Sequence, residues 1–261
     1  MNISLKGKFA VICGSSQGIG LAAAKELALN GANCILLARN PESLQAAVHQ
    51  LEKHADQQHQ AIVADFSHPE MLEAIIHKIV NECLVEILVN NSGGPKAGPI
   101  LEASPMSFEL AFRQHLVCNQ LLAQTVMPGM REANYGRIIN IISTSVKTPL
   151  ANLGVSNTIR LAVASWAKTL ANEIGQYNIT INNILPGLTE TQRLHDLIKH
   201  SALVAQKEIS AVEHQMKESI PMKRFGRPEE IANMIAFLAS PAASFINGAN
   251  IAVDGGRTPA L

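Results

Sequence analysis

The sequence predicts an α/β fold, a doubly wound, seven-stranded parallel sheet with helices on both faces. Two observations carry that expectation. Short β-branched runs alternate with longer amphipathic segments along the chain, a β-α-β rhythm that places parallel strands between two helical layers. The runs are also almost continuously apolar, as strands covered on both faces must be.

The first strand is "FAVIC" (9–13), followed by a glycine-rich turn and a helix over 19–29 that stops at Asn30-Gly31, a favoured C-terminal cap. "CILLA" (34–38), "AIVA" (61–64) and "EILVN" (86–90) read as the second to fourth strands. "RIINII" (137–142), "ITINNIL" (179–185) and "NIAV" (250–253) complete the sheet. Between the fifth and sixth strands, a helix over 155–174 puts Ile159, Val163, Trp166 and Leu170 at helical spacing. Residues 188–220 break the rhythm with a charged, helix-prone insertion. Next to a ligand crevice such an excursion reads as a substrate lid or a plain surface hairpin, within a single domain spanning 1–261.

Bulk properties exclude several function classes. Of 261 residues, 47% are hydrophobic, enough for a sizeable core, and the 21 basic residues balance 21 acidic ones. Nothing therefore pulls the chain toward nucleic acid or an anionic membrane. The N-terminal apolar run passes directly into glycines, without the pattern of a secretory signal, and a cytoplasmic location is expected. The cysteines (Cys13, Cys34, Cys83, Cys118) are widely spaced without C-x-x-C, as buried thiols in a reducing compartment are. His49, His54 and His59 recur every five residues, a spacing that keeps no common helical face, and no metal site is expected.

The first chemical motif is "CGSSQGIG", directly after the first strand. Glycines at 14, 18 and 20 let the backbone turn tightly and approach a pyrophosphate, while the following helix N-terminus offers N–H groups and the positive end of its dipole. The strand-turn-helix context makes this a strong dinucleotide signal. At the end of the second strand stand Ala38 and Arg39, where an acidic residue would favour NAD. A guanidinium fork suits a 2′-phosphate, so NADP(H) is expected over NAD(H).

From here the chain resembles the short-chain dehydrogenase/reductase family along nearly its whole length, in the branch that includes 3-oxoacyl-acyl-carrier-protein reductases. The resemblance rests on "GSSQGIG", on "NNSG" (90–93), similar to the family's N-N-A-G, and on "INIIST", which ends the fifth strand at Ser143. "LPGLTET" (185–191), "FGRPEEIA" (225–232) and "VDGG" (253–256) extend it to the C-terminus. It implies a Rossmann fold, hydride transfer between a nicotinamide and a carbonyl or alcohol carbon, and assembly as a homodimer or homotetramer. The substrate would be a small carbonyl compound or an acyl thioester, without nucleic-acid or membrane partners. Carried onto this chain, the cofactor groove would comprise Gly14, Ser15, Ser16, Gly18, Ile19 and Gly20 of the loop, Arg39, Asp65 and Phe66 at the adenosine end, and Asn91, Gly93, Arg160, Pro186, Gly187 and Thr189.

The family's catalytic tetrad is Asn, Ser, Tyr and Lys. Thirteen residues on from Ser143, where the tyrosine is expected, stands Ser156, and the lysine position of Y-x-x-x-K holds Arg160. Counting seven residues after Phe108, or thirteen before Pro128, places His115 at the asparagine position. An aliphatic hydroxyl is a far weaker acid than a phenol, and arginine passes no proton onward. Cofactor binding is thus expected to survive these replacements better than proton transfer does. His115, whose ordinary pKa lies in the working range, is a candidate substitute acid; Lys96, Lys147 and Tyr177 are weaker ones. Two functions follow: an NADP(H)-dependent oxidoreductase with an altered proton path, or a catalytically impaired family member that binds NADP(H) as a sensor or partner subunit.

Overall fold

In the computed structural model, which describes residues 1–54 and 56–260, seven parallel strands form one sheet in the order β3-β2-β1-β4-β5-β6-β7. The strands are β1 (Phe9–Cys13), β2 (Asn33–Ala38), β3 (Gln60–Val63), β4 (Val85–Asn90), β5 (Gly136–Ile141), β6 (Ile179–Pro186) and β7 (Asn250–Val253). Each lies within one residue of its expected position. The helices are α1 (Gly18–Leu29), α2 (Pro41–Val48), α3 (Pro69–Glu82), α4 (Pro105–Phe112), α5 (Cys118–Glu132), α6 (Gly154–Ile174), α7 (Gln192–Ala205), α8 (Ile209–Glu218) and α9 (Pro228–Ala239).

Period-two alternation along the strands feeds two cores. Ala10 and Ile12 of β1 point to one face, where Ala24, Leu27 and Ala28 of α1, Leu44 of α2 and Ile231 and Ile235 of α9 cover them. Val11 and Cys13 point to the other, against Leu72 and Ile76 of α3, Leu122 and Val126 of α5 and Ala167 and Ala171 of α6. Burying both faces explains why the strands read as continuous apolar runs rather than alternating ones. α1 ends as its sequence demands: the Asn30 N–H bonds back to Glu26, and Gly31 takes the left-handed conformation with φ +99°. α2 begins with Asn40, whose side chain accepts from the Ser43 N–H at 2.8 Å, and Pro41 follows at the first helical position.

The insertion at 188–220 folds as a helical hairpin, α7 against α8, closed over a small core of Leu194, Ile198, Ala202, Val212, Ile220 and Phe225. The α6 stripe packs inward: Ile159 and Val163 are buried, and Trp166 lies half-buried with its indole N–H 2.6 Å from Gln120 Oε1 on α5. No helix among the described residues is long and apolar enough to cross a membrane.

The register aligns four asparagines from neighbouring strands. Asn90 pairs with Asn140, Asn140 with Asn183, and Asn183 with Asn250. Each side-chain amide bonds the next at 2.8 Å, carrying a polar row across β4, β5, β6 and β7. Asn140, at 0% exposure, both donates and accepts in this row. Removing its side chain strands a buried donor on Asn90 and a buried acceptor on Asn183, and an unsatisfied buried group costs about 1–3 kcal/mol. Asn140→Ala is therefore expected to lower unfolding stability by about 2–5 kcal/mol, read from the midpoint shift of a urea denaturation curve at unchanged slope.

Candidate functional site

All seven strands run the same way, so their C-terminal ends share one edge of the sheet. β1 neighbours both β2 and β4, and the crossovers leave it in opposite directions. A crevice opens where they part. There the structure holds a cavity of about 930 Å³, by far the larger of its two principal pockets.

The glycine loop forms one wall. Gly14 has φ +58°, and a Cβ there would run into the backbone carbonyl of Asn91. A Cβ at Gly20 would collide with the Gly14 carbonyl, so this glycine lets the first turn of α1 press onto the loop. Asn91, at the end of β4, clamps the arrangement: its amide donates to the carbonyls of Gly14 at 3.1 Å and Cys13 at 3.3 Å. The N-terminus of α1 thus opens onto the cavity, with Gly14, Ser16, Gln17, Gly18 and Ile19 lining it. At the far end Ala38, Arg39, Asn40, Ser43, Ala64 and Phe66 line the wall, with Arg39 exposed at the mouth.

Ser143, Ser156 and Arg160 meet at the opposite end of the cavity, beside Ser92, Gly93, Pro186, Gly187 and Thr189. Ser143 caps a short 3-10 turn (Thr144–Val146), its hydroxyl oxygen accepting from the Ser145 N–H at 3.1 Å. Ser156 and Arg160, one helical turn apart on α6, are both buried yet line the cavity. The Arg160 guanidinium donates to the Ile141 carbonyl at 3.0 Å and the Ser92 carbonyl at 3.5 Å, tying α6 to the ends of two strands. Burial, and then the charge of Arg193, bring its pKa down to about 10, so it stays cationic at neutral pH.

His115 sits in a π-helical turn (Arg113–Val117) between α4 and α5, a wide turn of the kind that often aims a side chain at a site. It is 1% exposed, its Nδ1 lies 2.7 Å from the Ser92 hydroxyl, and its Nε2 has no partner among the described residues. Burial, reinforced by the charges of Arg160 and Arg193, pushes its pKa down to about 2. This corrects the expectation that His115 titrates in the working range. At neutral pH it is an uncharged imidazole outside the cavity lining, hydrogen-bonded to Ser92.

Three further candidates do not line the cavity. Ser15 turns inward, its hydroxyl donating to the Ile12 carbonyl at 2.8 Å, because the tight turn directs that side chain into the sheet. Gly20 packs against Gly14 and does not line the cavity. The Asp65 carboxylate folds back onto the Ser67 N–H at 2.9 Å, an attachment that lowers its pKa, while its neighbours Ala64 and Phe66 face the cavity. Lys96, Lys147 and Tyr177 are not among the lining residues; Tyr177 is at the far end of α6, against Arg131. The sequence reading passed over Ser92 as a partner for His115 and missed Arg193 altogether. The paired departure from the family pattern at 92 and 115 was the available signal for the first.

Among the described residues no cluster of His, Cys, Asp or Glu could hold a metal ion. The four cysteines are free thiols. A nucleotide cradle facing a serine and a cation across one cleft defines a dinucleotide-dependent oxidoreductase site. Residues 14–258 match the family model described as enoyl-(acyl carrier protein) reductase. The chain is 30% identical to the NADPH-dependent reductase BacG of Bacillus subtilis, over 97% of this chain and 98% of the relative. It is also 30% identical to the 3-oxoacyl-[acyl-carrier-protein] reductase FabG of Aquifex aeolicus, over 98% of this chain and 99% of the relative. Crystalline L-sorbose reductase from Gluconobacter frateurii, complexed with NADPH and L-sorbose, superposes with a TM-score of 0.93 at 33% identity, covering 100% of both chains. The chain belongs to the short-chain dehydrogenase/reductase family.

A buried neutral histidine has a consequence for acid stability. The unfolded chain protonates His115 near its ordinary pKa of 6.5, whereas the folded chain does so only near 2. Between these values the unfolded state holds the extra proton, so His115 costs folding stability as pH falls below 6.5. The expected slope is up to about 1.4 kcal/mol per pH unit. Denaturation curves from pH 7 to 4 should therefore show a shallower acid-side loss in His115→Gln than in the parent. NMR should show no titration of the His115 ring between pH 5 and 8.

Proposed function

We propose that this chain is an NADP(H)-dependent oxidoreductase that interconverts a carbonyl and an alcohol, acting on a small carbonyl compound or a 3-oxoacyl thioester. The observation that carries the reading is one cleft with a glycine cradle and Arg39 at one end, and Ser143, Ser156 and Arg160 at the other. The residues fit the cofactor on structural grounds. Gly14, Ser16, Gly18 and Ile19 line the cavity at the N-terminus of α1, where a pyrophosphate would meet the free N–H groups of the first helical turn. Arg39 stands where a 2′-phosphate needs a bidentate donor. Asn91, Gly93, Pro186, Gly187 and Thr189 would line the nicotinamide half, with Arg160 donating to its ribose.

Bound NADPH supplies the hydride. The protein's part is to hold the carbonyl and stabilise the charge that develops on its oxygen. Ser143, its oxygen anchored by Ser145, donates its hydroxyl hydrogen to that oxygen. Arg160 adds a permanent positive charge in a dry pocket, where an alkoxide gains most from it. It keeps its proton. Ser156 completes the donor set, and the proton that quenches the alkoxide comes from water relayed past its hydroxyl. Neutral His115 holds Ser92, which in turn offers its carbonyl to Arg160. The other function open from the sequence, a silent binder of NADP(H), rests on the replaced tetrad positions alone, whereas the named relatives are reductases.

The hairpin at 188–220 serves as a lid within a single domain over 1–261; Arg193, Leu194, His195 and Leu197 of α7 already face the cavity. We place the enzyme in the cytoplasm as a homodimer or homotetramer. Exposed Leu110 and Phe112 of α4 and Leu161 of the adjoining α6 supply apolar surface for such an interface.

Oxidation of NADPH with a panel of ketones and 3-oxoacyl thioesters tests the reading, and absence of turnover on every member sinks it. Ser143→Ala is expected to lower kcat by about 10²-fold, the effect of losing one oxyanion donor, without weakening NADPH binding. Ser156→Tyr combined with Arg160→Lys should raise kcat by up to about 10²-fold, the low end of what a placed general acid contributes. Arg39→Gln should reduce the preference for NADPH over NADH by about tenfold or more, since a hydrogen bond to a charged group contributes about 1.5–3 kcal/mol. Fluorescence titration with each dinucleotide measures it.

A further inference from the structure

Arg160 and Arg193 both hang on the short loop that follows β4. Arg160 donates to the carbonyl of Ser92 at 3.5 Å, and Arg193 donates to those of Gly94 at 3.1 Å and Pro95 at 3.5 Å. Arg193 comes from the second residue of α7, so its side chain spans the cleft from lid to floor. Gly94 makes the room: a Cβ there would stand 2.5 Å from Nη2 and 2.7 Å from Nη1 of Arg193. Carbonyl acceptors orient these guanidinium groups but leave their charge uncompensated. Among the described residues neither arginine has a carboxylate within ion-pair distance. The two carboxylates that do line the cavity, Glu190 and Glu229, form no salt bridge with them.

Two neighbouring guanidinium groups of like charge repel each other, and their charges add to the burial that keeps His115 neutral behind them. Such an arrangement is relieved by an anion that both can reach. The cofactor phosphates have their own donors at the other end, in the glycine loop, the start of α1 and Arg39. Arg193 instead reaches from the lid to the loop after β4, the loop that also holds Arg160, and lines the cavity together with Ser143 and Ser156. Arginine's planar fork matches a carboxylate with two parallel hydrogen bonds.

Resting on the reading of the cleft as a carbonyl reductase site, we propose that its substrate itself carries a carboxylate, which Arg193 of the lid captures with the help of Arg160. The lid then serves for recognition as well as cover: the substrate's carboxylate bridges α7 to the floor of the cleft and orients the carbonyl toward Ser143.

The test pairs oxo acids with uncharged analogues: acetoacetate and 2-oxohexanoate against their methyl esters, with the acetoacetyl N-acetylcysteamine thioester as a neutral thioester. NADPH oxidation gives kcat and KM. Calorimetric titration of the NADP⁺-loaded protein gives binding without turnover. The acids are expected to exceed their esters at least tenfold in kcat/KM and in affinity. Arg193→Gln should collapse that ratio toward one, mainly through KM for the acids, and Arg193→Lys should recover part of it. Esters or the thioester serving as well as the acids would overturn the proposal while leaving the reductase reading intact. So would an Arg193→Gln variant whose loss appears as a tenfold weaker NADPH Kd, which would assign the arginine to the cofactor. Acids that bind the NADP⁺-loaded protein in an Arg193-dependent way, without any turnover, would keep the carboxylate site and sink the reductase reading. Failure of the acids to bind or react in preference to their esters would sink the carboxylate site.

Discussion

The clamp between Asn91 and the glycine loop is the contact on which the site depends. Parallel strands deliver every loop to one edge of the sheet, and because β1 and β4 are neighbours the loops that follow them emerge side by side. The Asn91 amide joins them by donating to the Cys13 and Gly14 carbonyls. Gly14 must be glycine for the same reason, since a Cβ would occupy the space of the Asn91 carbonyl. Once the loops are joined, the residues that follow Asn91 form the floor of the cleft, and α6 reaches that floor through Arg160.

That floor shows how the replacements at the tetrad positions fit one another. A lysine reaches as a flexible point charge, whereas the arginine at 160 anchors itself on two carbonyls and presents a fixed fork. Burial, reinforced by the neighbouring cation, keeps His115 neutral, and its Nδ1 pairs with the Ser92 hydroxyl. The serine at 92, larger than the alanine of the family pattern, supplies the hydroxyl that this neutral ring needs. The residues at 160, 115 and 92 therefore form one hydrogen-bonded arrangement around a single buried cation.

Much of the fold was legible from sequence because the relevant signals are local. "FAVIC" ended in glycines, Asn30-Gly31 stopped a helix, and Arg39 followed a strand; each sits where that reading put it. Ser143, Ser156 and Arg160 came from counting along the family pattern, and α6 and β5 do bring them together. Side-chain direction was not legible. Ser15 and Ser16 are neighbours in one motif, yet only one faces the cavity, since the turn between them decides which hydroxyl points inward. His115 was misjudged because its pKa is set by burial and by two arginines distant in sequence. Arg193 was invisible for a similar reason: nothing in a charged helical insertion says that one of its residues reaches 99 positions back along the chain.

The asparagine row has a head and a tail. Each amide nitrogen points toward β7 and each amide oxygen toward β4, so the dipoles add along the row. A single amide turned around would set nitrogen against nitrogen on one side and oxygen against oxygen on the other. Reversal therefore requires all four to turn together, and the row acts as one polarised bar across half the sheet. Its head, the unpartnered Asn90 Oδ1, is buried one residue before Asn91. The negative pole of that bar thus lies under the edge of the cleft.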